Sequence, residues 1–235
     1  MKRLITVVAI LGCANLVARA QYEELEWETK KKLTFFLPTD DVSQIKPKDF
    51  KKINKNYGLE WTATSVLGVM SEKGLYMWGP SGYVNVCFDS FDRDYAWILK
   101  EAKEKMLEKA EVEANIAASK KRHAEHLKFD VYVNCCDENA WDLRNADYWR
   151  LWLLNEAGER VYPIEIVKYG GYPDVTSQWE KVGLFGADRK YTYYEGGFSA
   201  KFENFYGDRR PDSVKLIFAG DLGQRGFEWI FDKNP

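Results

Sequence analysis

His123 and His126 are the only histidines in the chain, and at i,i+3 on a helix they would project to one side, a spacing that can hold a metal. A zinc site needs a third protein ligand, which Cys135, Cys136 or Asp137 would supply only if the chain turned back after the next strand. Lys120, Lys121 and Arg122 stand just upstream and repel a cation. No resident metal is expected, and a metal-dependent enzyme is the least favoured reading. Asp137, Glu138, Asp142 and Asp147 form a second cluster. Paired carboxylates can hydrolyse glycosides or bind calcium, but this spacing lacks the alternating acidic order of an EF-hand loop, and a polar loop between strands accounts for it. No Gly-x-Ser-x-Gly elbow occurs, and no Ser or Cys pairs with a histidine in a nucleophile signature. The glycine-rich stretch 220–226 follows one predicted strand and precedes another, so it lacks the helix N-terminus that phosphate binding requires. It reads as a hairpin turn. The chain is therefore expected to be no enzyme and to need no cofactor.

Aromatic residues are the remaining lead. Trp141, Trp149, Trp152, Tyr169, Tyr172, Trp179, Tyr191, Tyr193 and Tyr194 all fall in the second half, where rings on a sheet could stack against sugars or anchor a protein partner. Trp141, Trp179 and Tyr172 are the binding candidates. Strand alternation sends Tyr191 and Tyr193 one way and Tyr194 the other, so part of the set is expected to be core.

Four cysteines occur. Adjacent Cα atoms lie only about 3.8 Å apart, too close for Cys135 and Cys136 to bridge each other. An oxidising compartment would pair Cys87 with Cys135 or with Cys136, against the alternative of three buried thiols.

An address is legible at the start. Lys2 and Arg3 precede an apolar run over 4–12, extended to 17, and Ala18-Arg19-Ala20 places small residues where a signal peptidase reads. The run is shorter than the roughly 20 residues that span a bilayer. Ile10-Leu11-Gly12-Cys13 is a competing lipobox that would make Cys13 a lipidated first residue. Release after Ala20 is favoured, giving an exported protein, periplasmic or in the cell envelope; lipidation at Cys13 would be its one tie to a membrane. Loss of residues 1–20 removes three cations and leaves 31 basic against 36 acidic residues, a net charge of −5. That balance argues against a nucleic-acid partner.

The elements that must position these groups follow from period and punctuation. Residues 21–56, polar and punctuated by Pro38 and Pro47, read as a loosely packed arm, and 57–235 as one domain. About 92–126 holds no Gly or Pro and predicts one long helix, with Leu99, Ala102, Met106, Ala110, Ala114 and Ala117 along a narrow face. At about 1.5 Å per residue it would reach roughly 52 Å, so it must break once or project. From Leu127 the period changes to two, and short strands with polar turns follow to the end. Pro163 demotes one of them to an edge. The expected class is α+β, mainly β: an antiparallel, Ig-like β-sandwich with one long helix.

Trp149-Arg150-Leu151-Trp152-Leu153-Leu154, Gly158, Pro163 and the run Leu216-Ile217-Phe218-Ala219-Gly220-Asp221-Leu222-Gly223 resemble bacterial envelope proteins of no assigned activity, many with lipoprotein signals, that join a helical segment to a β-sandwich. The resemblance covers roughly 90–235 and implies compartment and architecture only. The leading expectation is a non-enzymatic structural or protein-interaction module of the cell envelope. The alternative is a carbohydrate-binding β-sandwich, so the expected partner is an envelope protein or a glycan.

Overall fold

The computed structural model describes residues 25–33, 41–67, 77–135, 141–182, 187–207, 209–220 and 223–232. The segment expected to be an export signal, together with Cys13, Cys136, Asp137 and Glu138, lies outside them. With 49% strand and 28% helix the chain is α+β, mainly β. Among the described residues ten strands form two five-stranded sheets. In chain order they are β1 (Trp27–Leu33), β2 (Gly58–Leu67), β3 (Met77–Asp89), β4 (His126–Cys135), β5 (Trp149–Leu154), β6 (Arg160–Val161), β7 (Glu165–Val182), β8 (Ala187–Glu203), β9 (Ser213–Gly220) and β10 (Gly223–Phe231). Sheet A has the order β1-β10-β9-β5-β6 and sheet B the order β2-β3-β4-β8-β7. Every neighbouring pair is antiparallel except β1 with β10.

Period-two alternation explains how the sheets meet. Leu127, Phe129, Val131 and Val133 of β4 are buried while Lys128, Asp130 and Tyr132 stay part-exposed on the other face. The inner faces share one core, in which Trp229 of sheet A lies 5.3 Å from Phe129 and 5.9 Å from Phe88 of sheet B, ring centre to ring centre. Two tryptophans of sheet A lie across glycines on the neighbouring strand: a Cβ at Gly220 would sit 1.8 Å from the Trp149 ring, and one at Gly226 would sit 2.3 Å from Trp27. The outer face of sheet A closes over a smaller cluster of Trp152, Leu154 and Ile217, with Leu25 and Trp27 packed on it.

The segment expected to be a loose arm contributes structure. Its Trp27–Leu33 is β1, with Leu33 in the main core, and Phe50–Tyr57 forms helix α1. The single helix expected over 92–126 is two, α2 (Phe91–Lys105) and α3 (Lys109–Glu125). The chain reverses at Met106, which takes the left-handed conformation (φ 53°), and its N–H donates to the Ala102 carbonyl. Glu108 then starts α3 with its own N–H donating to Glu111 Oε2 at 2.9 Å. The two helices fold back to back through a polar seam, where Ser119 and Arg122 donate to Asp94. Ala110, Ala114 and Ala117, the expected packing face, are exposed. Pro163 falls where the chain leaves sheet A after β6 and crosses to sheet B as β7, both of them edge strands.

Candidate functional site

Sheet register builds the site, on the outer face of sheet B. Asn85 pairs with Tyr132, Tyr132 with Gly197, and Gly197 with Tyr169, so these four residues form one row across β3, β4, β8 and β7. Alternation points them all away from the core. Gly197 is the trough of that row: a Cβ there would come 3.2 Å from the Tyr169 ring and 3.7 Å from Tyr132. Tyr83, one row along, stacks on Tyr132 with centroids 6.0 Å apart and planes 23° from parallel. Carboxylates hold the hydroxyls. Tyr132 donates to Glu195, which also accepts from Asn134 Nδ2 at 2.6 Å, and Tyr169 donates to Asp130 Oδ1 at 2.7 Å. Burial and these acceptors push the Tyr132 and Tyr169 hydroxyls above their ordinary pKa, so both stay donors.

Asp130 leads from this platform into a network beneath α2. Arg93 donates through Nε to Asn54 Oδ1 (2.7 Å), through Nη1 to Asp89 (2.8 Å) and pairs through Nη2 with Asp130 (2.7 Å). Lys128 Nζ lies 3.2 Å from Asp89 and 3.5 Å from Asp130. Burial works against the Asp130 charge, but Arg93 and Lys128 outweigh it and hold its carboxyl below the usual range. A cavity of about 250 Å³ opens here, lined by Phe50, Asp89, Arg93, Asp94, Trp97, Lys128 and Asp130. Its apolar wall is Trp97 and Phe50, with ring centres 5.0 Å apart. Trp97 is 41% exposed, unusual for so large an apolar ring.

The charged groups of this arrangement are paired with one another. Asp89 and Asp130 are engaged by Arg93 and Lys128, and burial pushes the adjacent Cys87 thiol up to about 11, so it is no nucleophile at neutral pH. Beside them lies a surface of aromatic rings and hydrogen-bonding groups.

Most residues singled out from sequence lie elsewhere. His123 lies in the last turn of α3 with Nε2 3.5 Å from Asp94. His126 begins β4, so the helix stops before both can share one of its faces, contrary to the i,i+3 expectation. Among the described residues no three His, Cys, Asp or Glu side chains gather. Trp141 packs against the core, 6.3 Å from Phe198, with Lys168 4.0 Å above its ring. Trp179 is 69% exposed in the part of β7 beyond the reach of β4. Tyr172 lies within β7, and its side chain is outside the described residues. Asp142 is tied to Arg144 and does not reach the site.

The Cys87–Cys135 bridge is excluded. Cys87 pairs in register with Asp130, placing Cys135 five residues further along β4, roughly 17 Å at about 3.4 Å per residue, and on the opposite face. Both cysteines are buried. Sequence reasoning missed Tyr83, Tyr132, Gly197 and Trp97. The available signal was the outward phase of Tyr132 in the alternating run 127–133; the pairing that gathers its neighbours carried none. No family model, curated protein or solved structure matches the chain. No helix among the described residues is long and apolar enough to cross a membrane.

Proposed function

We propose that this chain is an exported, non-enzymatic binding module of the cell envelope and that its ligand is a glycan laid on the outer face of sheet B. The observation that carries this is the Tyr132–Gly197–Tyr169 row with Tyr83 stacked beside it. Rings held in place by carboxylates offer apolar faces to the C–H side of a sugar, and the remaining carboxylate lone pairs accept from its hydroxyls. A flat, pre-formed platform also loses little entropy on binding. In calorimetric titration against hits from a glycan array, the Tyr132→Ala and Tyr169→Ala variants should each bind at least about tenfold more weakly, at the scale of one aromatic contact. Near-UV circular dichroism checks that they remain folded. An array on which the unaltered protein binds no glycan counts against the reading.

A protein partner is the second reading, supported by Tyr162, Ile164, Val167, Val175 and Trp179, all exposed on or just before the edge strand β7. Cross-linking in whole cells would capture such a partner, and Trp179→Ala would lose it. The Ig-like description of the sandwich belongs to this proposal too: two packed sheets with alternating inward faces support it, and it must accommodate a parallel β1–β10 pair and a helical hairpin between the neighbouring strands β3 and β4. Export rests on the first twenty residues. Mass spectrometry of the mature N-terminus distinguishes release after Ala20 from lipidation at Cys13.

A further inference from the structure

We infer that the Phe50–Trp97 cavity is a second subsite of the tyrosine platform and that this subsite takes uncharged sugar units rather than acidic ones or amino sugars. This rests on the glycan reading and extends it to ligand class. Continuity is the first argument. Asp130 accepts from Tyr169 on the platform and from Arg93 in the cavity, so one carboxylate borders both. Tyr132 and Lys128 stand four residues apart on β4, about 14 Å at roughly 3.4 Å per residue. A short oligosaccharide covers that span.

Charge balance is the second. Each charged group at the cavity already has its counter-charge: Asp89 and Asp130 face Arg93 and Lys128, Asp94 faces Arg122, and Lys100 at the rim lies 3.6 Å from Glu104. A charged ligand entering here would give up its water without finding an unpaired opposite charge, which is a net cost. Hydroxyl groups meet no such barrier. They accept from the spare Lys128 proton and donate to open carboxylate lone pairs, and both kinds of contact are charge-assisted.

The third argument is the wall. Trp97 and Phe50 meet at 54° and leave Trp97 part-exposed beside the polar floor, an apolar side next to a polar one that matches the two-sided chemistry of a sugar ring. Lys100 Nζ lies 4.5 Å from the Trp97 centroid and 5.5 Å from Phe50, a flexible cap that an arriving ring can displace.

The experiment has two stages on the full mature chain. A glycan array carrying neutral, uronic-acid and amino-sugar oligomers identifies the ligand class. Calorimetry then compares the best neutral hit, in increasing chain lengths, on the unaltered protein and on the Trp97→Ala, Trp97→Phe and Tyr132→Ala variants. Trp97→Ala should weaken long oligomers about tenfold and leave the shortest unchanged, Trp97→Phe should restore most of the loss, and Tyr132→Ala should weaken every length. Charged oligomers losing as much affinity on Trp97→Ala as neutral ones of the same length, or long neutral oligomers binding Trp97→Ala as tightly as the unaltered protein, would overturn the inference while leaving the platform standing. Absence of any glycan binding removes the platform reading and this one together.

Discussion

Burial pushes the Asp92 carboxyl up to about 6, against hydrogen bonds from Ser90 Oγ and Tyr57 Oη that pull it down. An unfolded aspartate titrates near 3.9. Between about pH 4 and 6 the folded state therefore holds a proton that the unfolded state has released, and stability falls as pH rises across that window, then levels off. Asp94 works in the opposite sense at lower pH: burial opposes its charge, but His123, Ser119 and Arg122 hold it down to about 2, so its contribution is lost as pH falls from about 4 towards 2. Urea unfolding of Asp92→Asn should lack a decline on the order of 2 kcal/mol that the unaltered protein shows between pH 4 and 6.5. Equal slopes for the two proteins would contradict the assignment. At this scale the sequence is a poor guide to the site. Tyr83, Tyr132 and Tyr169 come from three strands, and only pairing with Gly197 and with one another makes them a surface. Trp141 looked equally promising in one dimension, and it lies against Phe198, where a Cβ at Gly196 would come within 2.9 Å of its ring.

Period-two runs after residue 126 are legible because each strand buries one face against the partner sheet, so composition and geometry repeat together. The turn over 155–158 and the edge position after Arg160 are legible for the same local reason: Gly158 takes φ +80°, and Pro163 cannot continue a ladder. Length alone called for a break in the helix or a projection, but the place of the break is not legible. Neither Gly nor Pro marks residues 106–108, and the reversal depends on α3 packing back onto α2 through Asp94, Ser119 and Arg122. Met106, 90% exposed, bears the conformational cost of that reversal. A glycine relieves it, so Met106→Gly should raise the unfolding free energy by about 0.5–1 kcal/mol in urea titration, whereas the same change inside an uninterrupted helix would lower it by a similar amount. The sign of the effect tests the break directly.

Across the whole molecule, the feature hardest to see from sequence is β1. Its polar lysines at 30–32 disguise a strand whose partner is β10, with Trp27 in register with Gly226 and Leu33 with Phe231. Arg225 ties the pair further, bonding Glu28 at 2.7 Å and pairing with Glu26. Leu33 is buried in the main core. A chain beginning after residue 33 should lose more than about 3 kcal/mol, the scale of one buried leucine plus a strand's pairing. An unchanged urea midpoint would show that β1 adds nothing to the fold.

That same pairing has a consequence for the order in which the protein can be completed. Among the described strands β1 comes first in the chain and pairs with β10, which comes last, so sheet A keeps an open edge until β10 has been made. Closure across so long a loop is slow, and it comes after the local hairpins have formed. A chain passing through a narrow channel, N-terminus first, would keep this sheet unclosed until β10 had cleared.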